Sequence, residues 1–273
     1  MITRITLIGP GRINDAAVTL KLDNVDPKPH RTIIITPYPD HMIKDILGQA
    51  WELDLSQYEF VNDLYFDEFY EDLSLYKLNK WYYQQMLKLC SVDHFDSEYF
   101  LLQDSDQVQL KPYHMFTNDG CLNMKCEELF NPYQEIYAEG VEILTDLKRT
   151  IPYSLCNEMM PVEYEDWCHL KMLIEKKTGY PWSEAVAKIR PMEPVKWFSE
   201  FELLGIYKLN NDDTVETFVG SPQPAINTWD DFYAVDWSKQ DTCKFLTEPL
   251  KYMRHSEARQ VYEHFKQVIQ KEN

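Results

Sequence analysis

Two aspartates one residue apart, Asp104 and Asp106, follow the apolar run Tyr99-Phe100-Leu101-Leu102. A run of that length suits a short buried strand. In open α/β sheets, ligands bind in the crevice outside the carboxyl ends of the strands. Carboxylates are hard oxygen ligands, and a Mg²⁺- or Mn²⁺-type ion held by one or two of them keeps several waters and takes up substrate phosphates. The chemistry expected of this pair is metal coordination over a diphosphate. A second pattern lies just upstream: Trp81, Gln84, Gln85 and Lys88, at i, i+3, i+4 and i+7, share one face of a helix. The two amides suit hydroxyl groups, and a lysine is a compact positive charge on a flexible stem, suited to a diphosphate.

The elements that must position these residues can be read around them. Ile5 to Ile8 predicts a first strand, ending in Gly9-Pro10-Gly11-Arg12, a turn that brings backbone close to whatever lies above it. It is not the GxGxxG pattern and is weak as a phosphate loop. A short helix is expected over 15–22. Thr32 to Thr36, β-branched throughout, predicts a buried strand; then follow a helix from His41 to Trp51 and a strand from Tyr58 to Val61. Leu78 to Cys90 reads as a helix whose other stripe, Tyr82, Met86 and Leu89, belongs to the core. Beyond the aspartates the pattern predicts a strand near 121–124, helix over 127–148 broken near Asn131-Pro132, a strand over 153–157 and a helix over 161–177. After these come a short helix from Pro181-Trp182, strands over 217–219 and 232–235, and a last amphipathic helix over 256–270. Alternating strands and helices point to an α/β fold with a mostly parallel sheet.

The chain of 273 residues shows no internal repeat and no clean linker. It is expected to be one domain over 1–273, with a first half over 1–125 that ends just after the Asp-x-Asp strand and a second half over 126–273 that includes the C-terminal helix. The formal charge of -18 argues against a broad nucleic-acid face or docking on anionic membrane. Nine acidic residues and no basic one lie between Asp45 and Tyr76, which suggests a solvated surface. None of the six cysteines forms a CxxC pair, so free thiols in a reducing compartment are expected. No secretory pattern and no run near the ~20 apolar residues of a membrane span is present, so a cytoplasmic protein is expected.

Three stretches resemble a family of GT-A-type glycosyltransferases known mainly from bacteria and phages as a domain of unknown function. Trp81-Tyr82-Tyr83-Gln84-Gln85-Met86-Leu87-Lys88-Leu89 is similar to its W-x-x-Q-Q-x-x-K-L. Phe100 to Asp106 is similar to its apolar strand into D-x-D, and Phe198-Ser199-Glu200-Phe201-Glu202-Leu203-Leu204-Gly205 to its S-E-Y-E-x-Y-G. The resemblance covers roughly residues 30–210. It departs at Gln103, where an apolar residue is expected, and at Phe201 and Leu204, where tyrosines are expected.

The resemblance implies a GT-A-like nucleotide-diphospho-sugar transferase. Asp104 and Asp106 would hold Mn²⁺ or Mg²⁺, with His255 as a third metal ligand late in the chain. Gly9, Gln84, Gln85, Lys88 and Ser105 would lie against the nucleotide-diphosphate sugar donor. Glu200 and Glu202 would serve the acceptor side, Glu200 as general base in an inverting enzyme or as an orienting carboxylate in a retaining one. The two would share a face on a strand but not on a helix. The acceptor is open: a glycan, a small molecule or, against the acidic charge, a modified nucleic acid. Two other readings stand beside this one. Asp104-Ser105-Asp106-Gln107-Val108 also resembles the haloacid-dehalogenase phosphatases, where the first Asp is nucleophile and the second acid/base, although Asp230-Asp231 is a poor match to that family's later acidic pair. The chain could also be a non-catalytic binding protein with a degenerate transferase fold.

Overall fold

The computed structural model describes residues 1–71, 73, 80–128, 132–157, 159–188, 198–212, 214–245 and 249–272. Its centre is a five-stranded sheet of β1 (Ile2–Leu7), β3 (Arg31–Thr36), β4 (Tyr58–Asn62), β5 (Tyr99–Asp104) and β9 (Met159–Glu163), in the order β4-β3-β1-β5-β9. The first four run parallel, and β9 pairs antiparallel with β5 at the edge. The short pair β2 (Val25–Asp26) and β7 (Tyr113–His114) lies apart, as do the ladders β6 (Gln107–Gln109) with β11 (Thr242–Lys244) and β8 (Asn123–Cys126) with β10 (Glu216–Val219). The helices are α1 (Ile13–Lys21), α2 (Asp40–Ile43, continued by a π-helical stretch over Lys44–Ala50), α3 (Lys80–His94), α4 (Pro132–Thr145), α5 (Tyr164–Thr178), α6 (Trp182–Lys188), α7 (Glu200–Asn211), α8 (Trp229–Ala234) and α9 (His255–Glu272).

The period-2 alternation of the parallel strands explains the layers. Ile5, Leu7, Ile33, Ile35, Phe100 and Leu102 turn to one face and pack with α3, α5 and α7. Ile34, and Ile8 just past β1, join the other core, with α1 and α9. Both faces are covered, so the strands read as nearly continuous apolar runs.

The chain runs from β1 out to β3 and β4, then returns through α3 to β5 on the opposite side of β1. Neighbouring strands whose connections leave in opposite directions open a crevice at their carboxyl ends. Leu7 is paired in register with Asp104, so that crevice lies between the Gly9–Arg12 turn and the aspartate pair.

The expected α/β fold with a mostly parallel central sheet is present; β2, β6, β7 and β11 are not anticipated by the sequence reading, and two expected strands are not where it put them. The strand expected over 153–157 is an isolated bridge between Ser154 and Glu127, and the true strand is β9, which overlaps the start of the helix expected over 161–177. Pro161 is tolerated there because β9 pairs on one side only. The strand expected over 232–235 belongs instead to the helix α8, since Thr228 accepts from Asp231 N and the Asp231 carboxylate accepts from Thr228 N, a capping box that starts a helix. Leu78 and Asn131, at the start of one expected helix and the expected break in another, lie outside the described residues.

Candidate active site

Asp104 ends β5, and Asp106 follows before the chain turns into β6. A β-strand fixes where its last side chain points, so Asp104 stands at the mouth of the crevice. Its carboxylate is 37% exposed and accepts from Lys88 Nζ. Lys88 lies on α3 and is 1% exposed. Its ammonium also donates to Glu200 Oε1 at 2.7 Å and sits 4.3 Å from the centre of the Phe201 ring. Lys88 is held above its ordinary pKa: burial pulls it down, but the Asp104 and Glu200 carboxylates outweigh burial. Burial pushes Glu200 up, against the pull of Lys88. The Gln85 amide lies against the Glu200 carboxylate.

Asp106 is held from the other side. Arg12, at the end of the glycine turn, donates from Nη2 to Asp106 Oδ2 at 2.9 Å. Its Nη1 donates to Asp15 at 2.6 Å and to the Phe245 carbonyl at 2.8 Å, and the guanidinium lies 4.8 Å from the Tyr252 ring centre. Phe245 N donates to the Asp106 carbonyl at 2.7 Å, which ties the C-terminal region to the aspartate pair. Burial, and next the neighbouring Asp104 charge, push Asp106 up to about 6, with Arg12 opposing.

Among the described residues, Asp104 Oδ2 and Asp106 Oδ1 accept no hydrogen bond. Two carboxylates with one such oxygen each, side by side, fit the hard donor set of Mg²⁺ or Mn²⁺. They do not complete a shell: among the described residues no group of three His, Cys, Asp or Glu side chains is placed to hold a metal ion. His255 is therefore not brought to the pair. As the first residue of α9 it is exposed, with its ring 5.2 Å from that of Trp51 and its Nε2 accepting from Arg259 at 3.4 Å.

The remaining expected residues divide. Gln84 reaches the glycine turn, and a Cβ on Gly9 would lie 3.1 Å from Gln84 Nε2. Both residues line a cavity of about 210 Å³ with Pro10, Thr36, Asp63 and Tyr83 at the ends of β1 and β3. Ser105 is buried, and its carbonyl accepts from Thr19 at 3.0 Å. Glu202 is turned away. On the helix α7 it cannot share a face with Glu200, and its carboxylate accepts from Arg149 at 3.0 Å, Ser154 Oγ at 2.6 Å and Leu155 N at 2.9 Å. It organises buried backbone rather than the crevice. The departures also find places: Gln103 is buried and accepts from Arg4 at 3.2 Å, Phe201 lies beneath the Lys88 ammonium, and Leu204 joins the core. Arg12 and Arg149 were not singled out by sequence. The only signal for Arg12 was its place directly after the glycine turn.

A family model described as a family of unknown function, DUF6492, matches residues 20–219. No curated protein matches the chain. An active-site mutant of LgtC is similar in structure, with a TM-score of 0.52 and 13% identity over 97% of this chain and 94% of that one. The apo structure of WbbM, a bifunctional glycosyltransferase, gives a TM-score of 0.52 and 9% identity over 98% of this chain and 49% of that one. The galactosyltransferase LgtC, solved with donor and acceptor sugar analogs, gives 0.49 and 12% identity over 98% and 95%. At these identities the likeness is one of fold, the GT-A fold of glycosyltransferases.

Proposed function

The chain belongs to DUF6492, a family of unknown function, and we propose that it is a metal-dependent glycosyltransferase moving a sugar from a nucleotide-diphosphate donor to an acceptor hydroxyl. One observation carries the proposal. The Asp104 and Asp106 carboxylates stand at the carboxyl end of β5, beside the β1 turn and the Gln84-Gln85-Lys88 face of α3. That the similar solved structures include a bifunctional glycosyltransferase, WbbM, favours this reading of the aspartate pair over the phosphatase one.

In this reading the nucleoside lies in the cavity bounded by Gly9, Thr36 and Gln84, and the diphosphate lies towards the aspartates. Asp104 and Asp106 would hold the divalent ion, which supplies Lewis-acid stabilisation of the charge on the leaving nucleotide diphosphate. Arg12 and Lys88 flank the pair and add fixed positive charge, so the leaving group departs into a field already arranged for it. Glu200 keeps Lys88 charged and aimed at Asp104. Glu200 was expected on the acceptor side, as general base or orienting carboxylate, but it is fully buried, so its part in this reading is to position Lys88 and not to touch the acceptor.

Thermal melting with Mn²⁺ and UDP-, GDP-, CMP- or dTDP-sugars tests this. A ligand bound only by the folded state raises the midpoint, so one nucleotide class is expected to raise it in the presence of Mn²⁺, and the double variant Asp104→Ala, Asp106→Ala is expected to lose the rise. The proposal fails if no nucleotide shifts the midpoint, or if the shift is the same in the double variant.

A further inference from the structure

A second polar site lies one strand beyond the aspartates. In the antiparallel β6–β11 ladder, Gln107 pairs with Lys244 and Gln109 with Thr242. Val108 and Cys243, between them, face the apolar core. The opposite face is polar and largely buried: Gln107 is 0%, Gln109 5% and Thr242 0% exposed. Lys125, from β8, lies against it and is 2% exposed.

The charges on this face do not balance. Lys244 pairs with Glu127, and Lys111 pairs with Asp241 at 3.0 Å. Lys125 has no carboxylate within ion-pair distance among the described residues. Its ammonium donates to one neutral atom, Thr242 Oγ1, at 3.2 Å, and that hydroxyl already accepts from Gln223 Nε2 at 2.7 Å. A second donor is unmet nearby, since the buried Gln109 Nε2 has no hydrogen-bond partner. The backbone makes room for the cation. A Cβ at Gly220 would stand 2.2 Å from Lys125 Cε, so a larger residue there would force the lysine out of its present position. Burying an ammonium against a single neutral partner is costly, and buried charges are ordinarily paired. A neutral ligand would satisfy Gln109 but not the charge, whereas an anion satisfies both.

We propose that Lys125 and Gln109 form an acceptor subsite for an anionic group, a carboxylate or a phosphate carried on a sugar. The subsite is inferred on the reading of the chain as a glycosyltransferase. Phe245 N, next to Lys244, bonds the Asp106 carbonyl, and Gln109 lies three residues along the chain from Asp106, about 10 Å at the rise of a strand. That separation places the anion at the far end of a small acceptor and leaves its reacting hydroxyl near the metal-binding pair. Glu127 and Asp241 at the rim are each engaged by a lysine, so they do not set up uncompensated repulsion against an anion.

Calorimetric titration of the full chain with glucuronate, glucose 6-phosphate and glucose tests the subsite. At least one of the two anionic sugars is expected to bind and glucose is not; the glucuronate and glucose 6-phosphate arms separate carboxylate from phosphate. Lys125→Met removes a buried charge without removing a packed stem, so it is expected to fold, and to weaken binding of the anionic sugar by about tenfold or more. Gln109→Leu is expected to weaken it less and keeps the test open if Lys125→Met does not fold. Equal binding of glucose, unchanged binding in both variants, or no binding of either anionic sugar overturns the subsite. If the anionic sugars bind but no nucleotide sugar raises the wild-type midpoint, the subsite stands and the transferase reading falls. The reverse result removes the subsite alone.

Discussion

Lys88 lies between two carboxylates, Asp104 at the crevice and Glu200 in the interior, with almost no exposure of its own. Removing one partner of a buried ion pair costs far more than the pair contributes, because a lone buried charge is left. Lys88→Met is expected to cost about 3–5 kcal/mol by that reasoning, measured by urea unfolding. Adding Glu200→Gln is expected to recover most of the loss, since the stranded charge is then gone. A loss below about 1 kcal/mol, the range of an exposed pair, would show that the lysine does not neutralise Glu200. At this scale the sequence was legible where local spacing sufficed. The aspartate pair and the Gln84-Gln85-Lys88 face follow from strand termination and the 3.6-residue period. The partners that complete them do not, because Arg12 and Asp106 are 94 positions apart and Lys88 and Glu200 are 112 apart. His255 read as a metal ligand through resemblance alone, and its ring packs on Trp51 instead.

Among the elements, the two small ladders beside the main sheet carry a pH signature. Burial pulls Lys125, on β8, down from 10.5 to about 8; Lys244 adds to this, while Glu127 and Asp241 oppose it. Between those values the unfolded chain binds the proton that the folded chain has lost, so stability rises as pH goes from about 8 towards 10.5, and the full penalty is present below 8. Lys125→Met is expected to raise the melting midpoint at pH 7, and the gain over wild type is expected to narrow progressively above pH 8. A gain that stays constant from pH 7 to 10 would mean that the lysine is buried at no charge cost. These ladders are also where sequence reading was poorest. β6 and β11 are three residues each, too short for a period to be seen, and their central residues Val108 and Cys243 are 135 positions apart along the chain. The main strands, by contrast, are five or six residues long and carry β-branched or apolar runs, and four of the five were found. β9 was hidden by a proline that its edge position permits.

For the molecule as a whole, the -18 charge acts against compaction. A folded chain of this length has a radius of gyration of about 19 Å. At 10 mM salt the Debye length is about 30 Å, so acidic groups repel across the whole protein, whereas at 100 mM it is about 10 Å and the repulsion becomes local. The unfolded chain spreads the same charge over a larger volume and gains less from screening. The melting midpoint is therefore expected to rise between 10 and 100 mM NaCl and then to level off. The buried pairs at Lys88 and Arg12 are weakly screened and do not contribute to this change. The same field repels an incoming nucleotide diphosphate until it reaches the local cations. Stopped-flow association is thus expected to speed up with salt over this range, opposite to the usual sign for a protein that steers an anionic ligand. A midpoint that falls with salt would mean that exposed ion pairs such as Arg31–Glu59 and Lys177–Asp146 outweigh the net charge. Association that slows with salt would mean that Arg12, Lys88 and Lys125 dominate the potential at the crevice despite the acidic surface around them.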